Sequence, residues 1–123
     1  MRLPEPTFFI LSALTERALH GYGVMLAVRD LSGGRISLRP GTLYTALDRL
    51  TEDGLLVVDR TEEDRGRLRR YYRLTDRGAA TLAAEVEQVR ANAAMAAERL
   101  RRRAAHAKHQ PKPTPKPSFG GAR

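Results

Sequence analysis

Apolar residues recur at helical spacing in the first half of the chain and predict three helices. The first opens at Pro4–Pro6, because proline fits the first turn of a helix, and runs to about Arg17. The second follows a break at "LHGYG" (19–23) and ends at Ser32-Gly33-Gly34. The third spans 40–53 in "PGTLYTALDRLTEDGLL", with Gly54 as its stop signal, and "ISL" at 36–38 predicts one small strand.

The third helix has two different faces. Its buried face consists of Leu43, Ala46, Leu47 and Leu50. Its outward face carries hydrogen-bonding groups on short or rigid side chains, namely Thr42, Tyr44, Thr45, Asp48 and Arg49. The outward face is therefore a candidate binding surface.

After Gly54 the pattern changes to that of a hairpin. Leu55–Arg60 and Arg69–Leu74 are the predicted arms, and the charged segment 61–68, with Gly66 near its tip, is the connection. Tyr71 and Tyr72 point to opposite faces of the second arm, so we expect one in the core and the other free for contact.

A long helix is predicted over 79–105, with Thr75 as its N-cap and Asp76 in its first turn. Its apolar positions step by three and four along one narrow seam: Ala79, Leu82, Val86, Val89, Ala93, Ala96 and Leu100. Residues 106–123 are basic and rich in proline, which predicts a disordered tail.

This order of elements defines a fold class: mainly α with a small β-hairpin. We interpret residues 1–78 as a winged helix-turn-helix, followed by a long C-terminal dimerisation helix. In that architecture the third helix enters the DNA major groove, and the hairpin reaches a flanking groove or the backbone. Hydroxyls of the outward face can meet phosphates or bases, and arginines can bind guanine or phosphate. Asp48 fits only beside a cytosine amino group or an arginine partner.

Each feature also has a simpler explanation. A polar outer helix face is usually just solvated, and an arginine-rich hairpin containing Glu62, Glu63 and Asp64 usually forms cross-strand ion pairs. The occurrence of both features in one topology favours DNA binding. A winged helix that binds another protein through the same face remains the alternative.

Composition narrows these possibilities. The net charge of +8 lies entirely in the last 25 residues, because residues 1–98 hold 14 acidic and 14 basic side chains. The tail can attract phosphates or simply keep the chain soluble. The absence of cysteine excludes disulfides and thiolate chemistry, and the apolar run Phe8–Leu14 is too short to span a bilayer. We expect a cytoplasmic, nucleoid-associated protein without a membrane segment.

Catalytic and metal-binding chemistry find no support in the sequence. The three histidines, His20, His106 and His109, are too scattered for a metal site. No nucleophile–base pair or paired carboxylate motif is visible. We therefore predict no enzyme activity, cofactor or metal. Abundant arginine and alanine, with lysine absent before position 108, suggests a G+C-rich bacterial genome.

Four pieces of the chain, in this order, resemble the PadR-like transcriptional regulators. They are "HGY" at 20–22, "PGTLY" at 40–44, "L…RL…DGL" at 47–55 and "RRYYRLT" at 69–75. The resemblance covers about residues 8 to 80. It implies a homodimeric repressor that binds an inverted-repeat operator and often leaves it when a small hydrophobic or phenolic effector binds.

The resemblance also implies roles for individual residues. Tyr22 would lie near the DNA backbone, and Arg65 and Arg67 would form the wing. Thr45 and Asp48 depart from the pattern, since the family often has proline and a basic or neutral residue there. With the outward face of helix three, the predicted DNA contacts are Tyr22, Arg39, Gly41, Thr42, Tyr44, Thr45, Asp48, Arg49, Arg65, Arg67 and Arg69.

The narrow seam of the last helix predicts a homodimer, because a helix with one apolar stripe needs a partner to stay folded. Helix one is expected to complete the interface. The predicted dimerisation residues are Phe8, Phe9, Leu11, Leu82, Val86, Val89, Ala93, Ala96 and Leu100. A two-fold dimer would set its recognition helices about one DNA turn, ~34 Å, apart. A single C-terminal helix leaves little room for an effector pocket.

Overall fold

The computed structural model describes residues 2–109. In chain order the elements are α1 Glu5–Ala13, β1 Leu19–His20, α2 Gly21–Leu31, α3 Pro40–Glu52, β2 Leu56–Asp64, β3 Arg67–Leu74 and α4 Asp76–His109. The chain divides into two compact units, Met1–Gln88 and Val89–Arg123, and α4 has residues in both. No helix in the described range combines the length and apolar character needed to cross a membrane.

One hydrophobic core holds the first unit together. It takes side chains from α1 to α3, from the base of the β2–β3 hairpin and from the start of α4. The buried apolar residues are Ile10, Leu11, Leu14, Val24, Val28, Leu43, Leu47, Leu50, Leu56, Tyr72 and Leu82. The predicted inner face of α3 is thus confirmed, with Ala46 packed half-buried at its edge.

The first helix is shorter than predicted, because α1 ends at Ala13 and not near Arg17. The N–H of Leu14 donates to Leu11 O at 3.1 Å, which tightens the last turn. Leu14 still enters the core, and the chain then runs on to form β1. The helical spacing of the apolar residues therefore predicts correctly that Leu14 is buried, but it predicts a helix that is too long.

The small strand lies at Leu19–His20, so the prediction of a strand at Ile36–Leu38 is wrong. β1 pairs antiparallel with β3, in the sheet order β1-β3-β2, and Leu19 lies opposite Tyr72. The backbone at Ile36 is instead held by the buried Ser32, whose Oγ accepts the Ile36 N–H at 2.9 Å. Ile36 and Leu38 pack half-buried against the core without pairing to the sheet.

The hairpin is longer and its turn tighter than predicted. Segment 61–68 belongs largely to the strands, and only Arg65 and Gly66 form the turn, with φ of 53° and 79°. Positive φ at both central residues suits the twist of a two-residue hairpin. The charged residues form strand because opposite charges face each other, as in the pair Glu62 and Arg69. This projecting part of the hairpin, residues 58–70, is called the wing below.

The start of α4 is fixed as predicted. Thr75 Oγ1 accepts the N–H of Gly78 at 2.9 Å, which makes it the N-cap, and donates to Gly54 O at 2.7 Å. The helix begins at Asp76, as an N-cap at Thr75 requires, and continues to His109, beyond the predicted end at residue 105. Residues 106–109 of the predicted tail are thus helical, and residues 110–123 lie outside the described part of the chain.

A buried carboxylate near the start of α4 was not expected from the sequence. The Glu85 side chain is 4% exposed, forms an ion pair with Arg2 Nε at 3.4 Å, and accepts the Leu3 N–H at 3.4 Å. It therefore holds the N-terminal segment against α4.

Candidate nucleic-acid interface

Three elements of the first unit line a concave surface that encloses a cavity with a volume of about 1020 Å³. The start of α2 contributes Tyr22, and α3 contributes Tyr44 and Asp48. The wing contributes Arg67 and Arg70 among others. We call this the α3–wing surface. It combines aromatic, acidic and basic groups from the motifs that the sequence singled out.

Tyr44 connects α3 to the first turn of α2. Its side chain is 47% exposed, and its ring lies directly over Gly21. A Cβ at position 21 would stand only 2.6 Å from Tyr44 Cζ and 2.7 Å from Cε1. The "HGY" and "PGTLY" motifs therefore meet in space, and the bare backbone of Gly21 sets the position of the Tyr44 hydroxyl.

The N-terminus of α3 is open to solvent. Arg39 is its N-cap residue, Pro40 is at the first helical position, and no side chain caps this end. Gly41 and Thr42 are exposed in the first turn. Unsatisfied N–H groups at a helix N-terminus, with the positive end of the helix dipole, form a ready binding site for a phosphate.

The arginines of the hairpin fall into two groups. Arg60 pairs with Glu62 at 2.7 Å and with Asp59 at 3.0 Å, while Arg69 pairs with Asp64 and Arg73 with Asp59, each at 3.3 Å. The hydrogen bond from Arg60 lowers the pKa of Glu62. Arg69 and Arg73 thus form the cross-strand ion pairs of the simpler explanation, whereas Arg60 pairs with acids on its own strand, β2.

The second group is exposed and forms no ion pair within residues 2–109. It consists of Arg65 in the turn, Arg67 beside it and Arg70 further along β3. Guanidinium groups without acidic partners keep their full attraction for phosphate. The hairpin arginines that keep this attraction are therefore those at the wing tip and on the side facing α3.

His20 has a structural role that the sequence did not reveal. Its Nδ1 accepts the Gly23 N–H at 3.1 Å, so the imidazole is the N-cap of α2. Its Nε2 lies 3.3 Å from Arg69 Nη1, and its ring packs against Tyr71 with centroids 5.2 Å apart. The histidine thus joins the sheet to the helix turn that presents Tyr22.

This environment lowers the pKa of His20. Burial is the main cause, and the neighbouring Arg69 adds to it, while Asp64 and Glu62 act in the opposite direction. Because the free side chain has a pKa of 6.5, the unfolded chain takes up the proton first as the pH falls. The contribution to stability is therefore complete above pH 6.5 and decreases as the pH falls below it.

We accordingly expect the urea midpoint of unfolding to fall between about pH 7.5 and about pH 5.5. His20→Asn keeps an acceptor at the N-cap but does not titrate, so its midpoint should change less over the same range. Equal pH dependence in the two proteins would contradict this role of His20.

The predicted DNA contacts separate by position. Tyr22, Tyr44, Asp48, Arg67 and Arg69 line the α3–wing surface, although Arg69 is already engaged by Asp64 and His20. The remaining predicted contacts lie at the start of α3, on its exposed side or in the turn: Arg39, Gly41, Thr42, Thr45, Arg49 and Arg65.

The prediction omitted Gly21, His20, Leu68 and Arg70, which also line this surface. Alternation along β3 places Leu68 and Arg70 on the same face as the buried Tyr72. Once Tyr72 is identified as the core tyrosine, this alternation predicts the face on which Leu68 and Arg70 lie. Tyr71, the other member of the pair, is half-buried beneath the Arg60 guanidinium at 4.1 Å.

Two of the predicted dimerisation residues are already used within the chain. Leu11 is completely buried and Leu82 is 9% exposed, both in the core of the first unit. Burial of a leucine side chain in a core contributes about 1.5–3 kcal/mol, so both side chains already stabilise the fold of the single chain. Phe8, Phe9 and Val86 are half-buried, whereas Val89, Ala93, Ala96 and Leu100 are exposed.

No cluster of metal-ligating side chains occurs among residues 2–109. A three-helix core, an open recognition helix and a two-stranded wing with a cationic tip together define a winged helix-turn-helix. The fold thus places the protein in the winged helix-turn-helix class.

The family follows from comparison with known sequences. Residues 10–84 match the transcriptional regulator PadR-like family. The chain therefore belongs to the PadR-like family, whose members are transcriptional regulators and not enzymes. The family predicted from the four motifs and the fold class predicted from the order of the elements are both confirmed.

Individual relatives agree with this assignment. The transcriptional regulator Rv3488 of Mycobacterium tuberculosis is 41% identical over 73 residues, which cover 59% of this chain and 64% of the relative. The transcriptional regulator YqjI of Escherichia coli K12 is 34% identical over 85 residues, 69% of this chain. The chain spans only 39% of the length of YqjI.

Solved structures share the fold. Bacillus subtilis PadR, crystallised in complex with operator DNA, superimposes with a TM-score of 0.62 at 24% identity. The match covers 70% of this chain and 48% of that one. At this level of identity the likeness concerns the fold.

Proposed function

We propose that this regulator is a homodimeric repressor that binds an inverted-repeat operator through α3 and the wing. The observation that carries the proposal is the convergence of exposed groups on one side of the first unit. Tyr44, the open N-terminus of α3 and the unpaired arginines of the wing are all suited to a DNA duplex. The operator-bound structure of B. subtilis PadR supports DNA as the partner of this fold.

The proposed contacts divide by what they can recognise. Tyr22, Arg39 and the first-turn N–H groups of α3 suit phosphates, which fix the orientation of the protein on the duplex. Thr42, Thr45 and Arg49 suit base edges in the major groove. Arg65 and Arg67 suit the narrow minor groove beside the wing, where the negative potential is enhanced. The whole site thus carries both orienting and sequence-reading groups.

The proposed dimer rests on the exposed stripe of α4 in the second unit. Val89 is 41% exposed and Leu100 is 65% exposed, although both are large apolar side chains. Ala93 and Ala96 lie between them and are also exposed. An apolar stripe of this kind is stabilised by packing against a second copy of the helix.

We expect Val89→Glu to convert the dimer to a monomer, because it places a charge in the apolar stripe. Sedimentation at micromolar concentration measures this directly. The same variant should lose binding to a palindromic site, since each protomer reads only one half-site.

Ala91→Glu is the matched control. It adds the same charge to the same helix at an exposed position off the stripe, so it should remain a dimer. A Val89→Glu monomer that still binds the palindrome as tightly as the wild type would contradict the proposed dimer.

Selection of bound duplexes from a random DNA pool tests the proposed function itself. We expect the full-length protein to enrich a palindromic site whose half-sites are about one helical turn apart. Failure to enrich any site over bulk competitor at low salt would refute sequence-specific binding. Addition of phenolic compounds to the same assay tests release by a small hydrophobic effector, which the family implies.

A protein-binding winged helix is the second candidate. It is favoured by the outward face of α3, which carries the exposed acids Asp48 and Glu52, and by the zero net charge of residues 1–98. Under this candidate the random-pool selection yields no enriched site.

Residues 110–123 are proposed to add sequence-independent attraction to phosphates, and a cytoplasmic location is proposed for the regulator.

A further inference from the structure

Asp48 is a carboxylate in a position where DNA binding would ordinarily disfavour one. It lies on the exposed side of α3, one helical turn after Tyr44, and lines the α3–wing surface. Phosphate groups repel a carboxylate, so an acid here weakens binding unless it meets a hydrogen-bond donor. If α3 binds DNA, the Asp48 carboxylate therefore needs a hydrogen-bond donor in the complex.

The sequence left two partners open, an arginine and a cytosine amino group. A candidate arginine is Arg70 on β3, which borders the same two depressions of the surface as Asp48. Within residues 2–109, however, no ion pair or hydrogen bond engages the Asp48 side chain. The neighbouring arginine thus leaves the carboxylate available on the exposed side of the helix.

The chemistry of the major groove then restricts the choice. Its base-edge donors are the N4 amino group of cytosine and the N6 amino group of adenine. Adenine places the acceptor N7 beside its amino group, where a carboxylate oxygen is repelled. Cytosine presents only a donor, and a carboxylate carries only acceptors. Cytosine is therefore the base that matches Asp48.

We propose that Asp48 is a specificity-determining residue that accepts a hydrogen bond from cytosine N4 at one position in each operator half-site. This inference rests on the proposed function, because it requires α3 to lie in the major groove.

Selection from a random duplex pool with three proteins tests the inference. The wild type should enrich cytosine at one position of each half-site. Asp48→Asn should reduce that preference at least about fivefold and raise adenine, because an amide can donate to N7 while accepting from N6. Asp30→Asn, which removes the same charge from an exposed position on α2 outside the surface, should enrich the wild-type site.

The other outcomes are equally informative. If Asp48→Asn enriches the wild-type site unchanged, or strengthens binding to all sequences equally, Asp48 does not read a base and the inference is overturned. In both cases the proposed function stands, because the wild type still selects a site. If the wild type selects no site, the proposed function fails and this inference fails with it.

Discussion

Gly78→Ala is expected to lower the free energy of unfolding by about 3 kcal/mol, as overpacking of a close contact does. Gly78 lies in the first turn of α4, where a Cβ would overlap the carbonyl oxygen of Leu55 and stand 2.7 Å from Leu74 Cδ1. The Leu55 oxygen also accepts the Thr75 N–H at 3.1 Å. With Thr75 bonded to both Gly54 and Gly78, neither backbone can move away without losing hydrogen bonds.

Gly41→Ala is the matched control for this prediction. Gly41 also occupies the first turn of a helix, but a Cβ there meets nothing within 4 Å. Alanine should leave stability unchanged or raise it by about 0.5–1 kcal/mol, because it reduces the backbone entropy of the unfolded chain. Urea denaturation of both variants gives the comparison. Similar midpoints for the two would show that α4 does not pack on Leu55 as described.

Gly21→Ala is expected to reduce affinity for the selected operator by about five- to a hundredfold with little change in stability. The added Cβ would overlap the outer part of the Tyr44 ring, which is the mobile end of a half-exposed side chain. The ring can swing into solvent, so the fold survives. The hydroxyl then leaves the position from which it is proposed to contact DNA.

Gly23→Ala, two residues further along α2, is the matched control. A Cβ there comes no closer than 3.5 Å to another atom, and the N–H that His20 accepts is retained. Operator affinity should therefore remain at the wild-type level.

Combining Gly21→Ala with Tyr44→Ala completes a double-mutant cycle. If Gly21 acts through the tyrosine, the Gly21→Ala substitution should cause no further loss of operator affinity in a protein that already carries Tyr44→Ala. Full additivity of the two losses in affinity would contradict the proposed role of the Gly21–Tyr44 contact.

Much of the fold can be predicted from the sequence because the buried face of a helix is marked by apolar residues that recur every three or four positions. Leu43, Leu47 and Leu50 were assigned to the core from periodicity alone, and Gly54 was recognised as the end of α3. Thr75 was identified as an N-cap from its position before a long amphipathic run. These features depend on interactions between residues close in the chain.

The hairpin and β1 were less accessible because strands depend on distant partners. The charge pattern predicts that residues 61–64 belong to the connection, yet they form strand because β3 supplies opposite charges. Leu19–His20 is too short to be recognised, and becomes a strand only through pairing with Tyr71 and Tyr72. Neither result could be derived from local propensity, which is weak for strands.

The candidate site was predicted in its residue types but not in its organisation. Tyr22, Tyr44, Arg65 and Arg67 were named from motifs. The division of hairpin arginines into ion-paired and unpaired groups required the register of β2 and β3. The role of His20 as a helix cap required knowledge that Gly21 begins a helix.

The sequence by itself determined the family, the three helices that build the core, and the polar face that the third helix turns outward, because motifs and helical periodicity are local properties of the chain. Tertiary structure alone decided that Tyr44 rests on Gly21, that Leu11 and Leu82 are buried within the chain, and that Gly78 packs against Leu55. Each of these joins residues that are far apart in the sequence or on different elements. Such contacts are set by how the elements pack, and packing at close range has no signature in the order of residues.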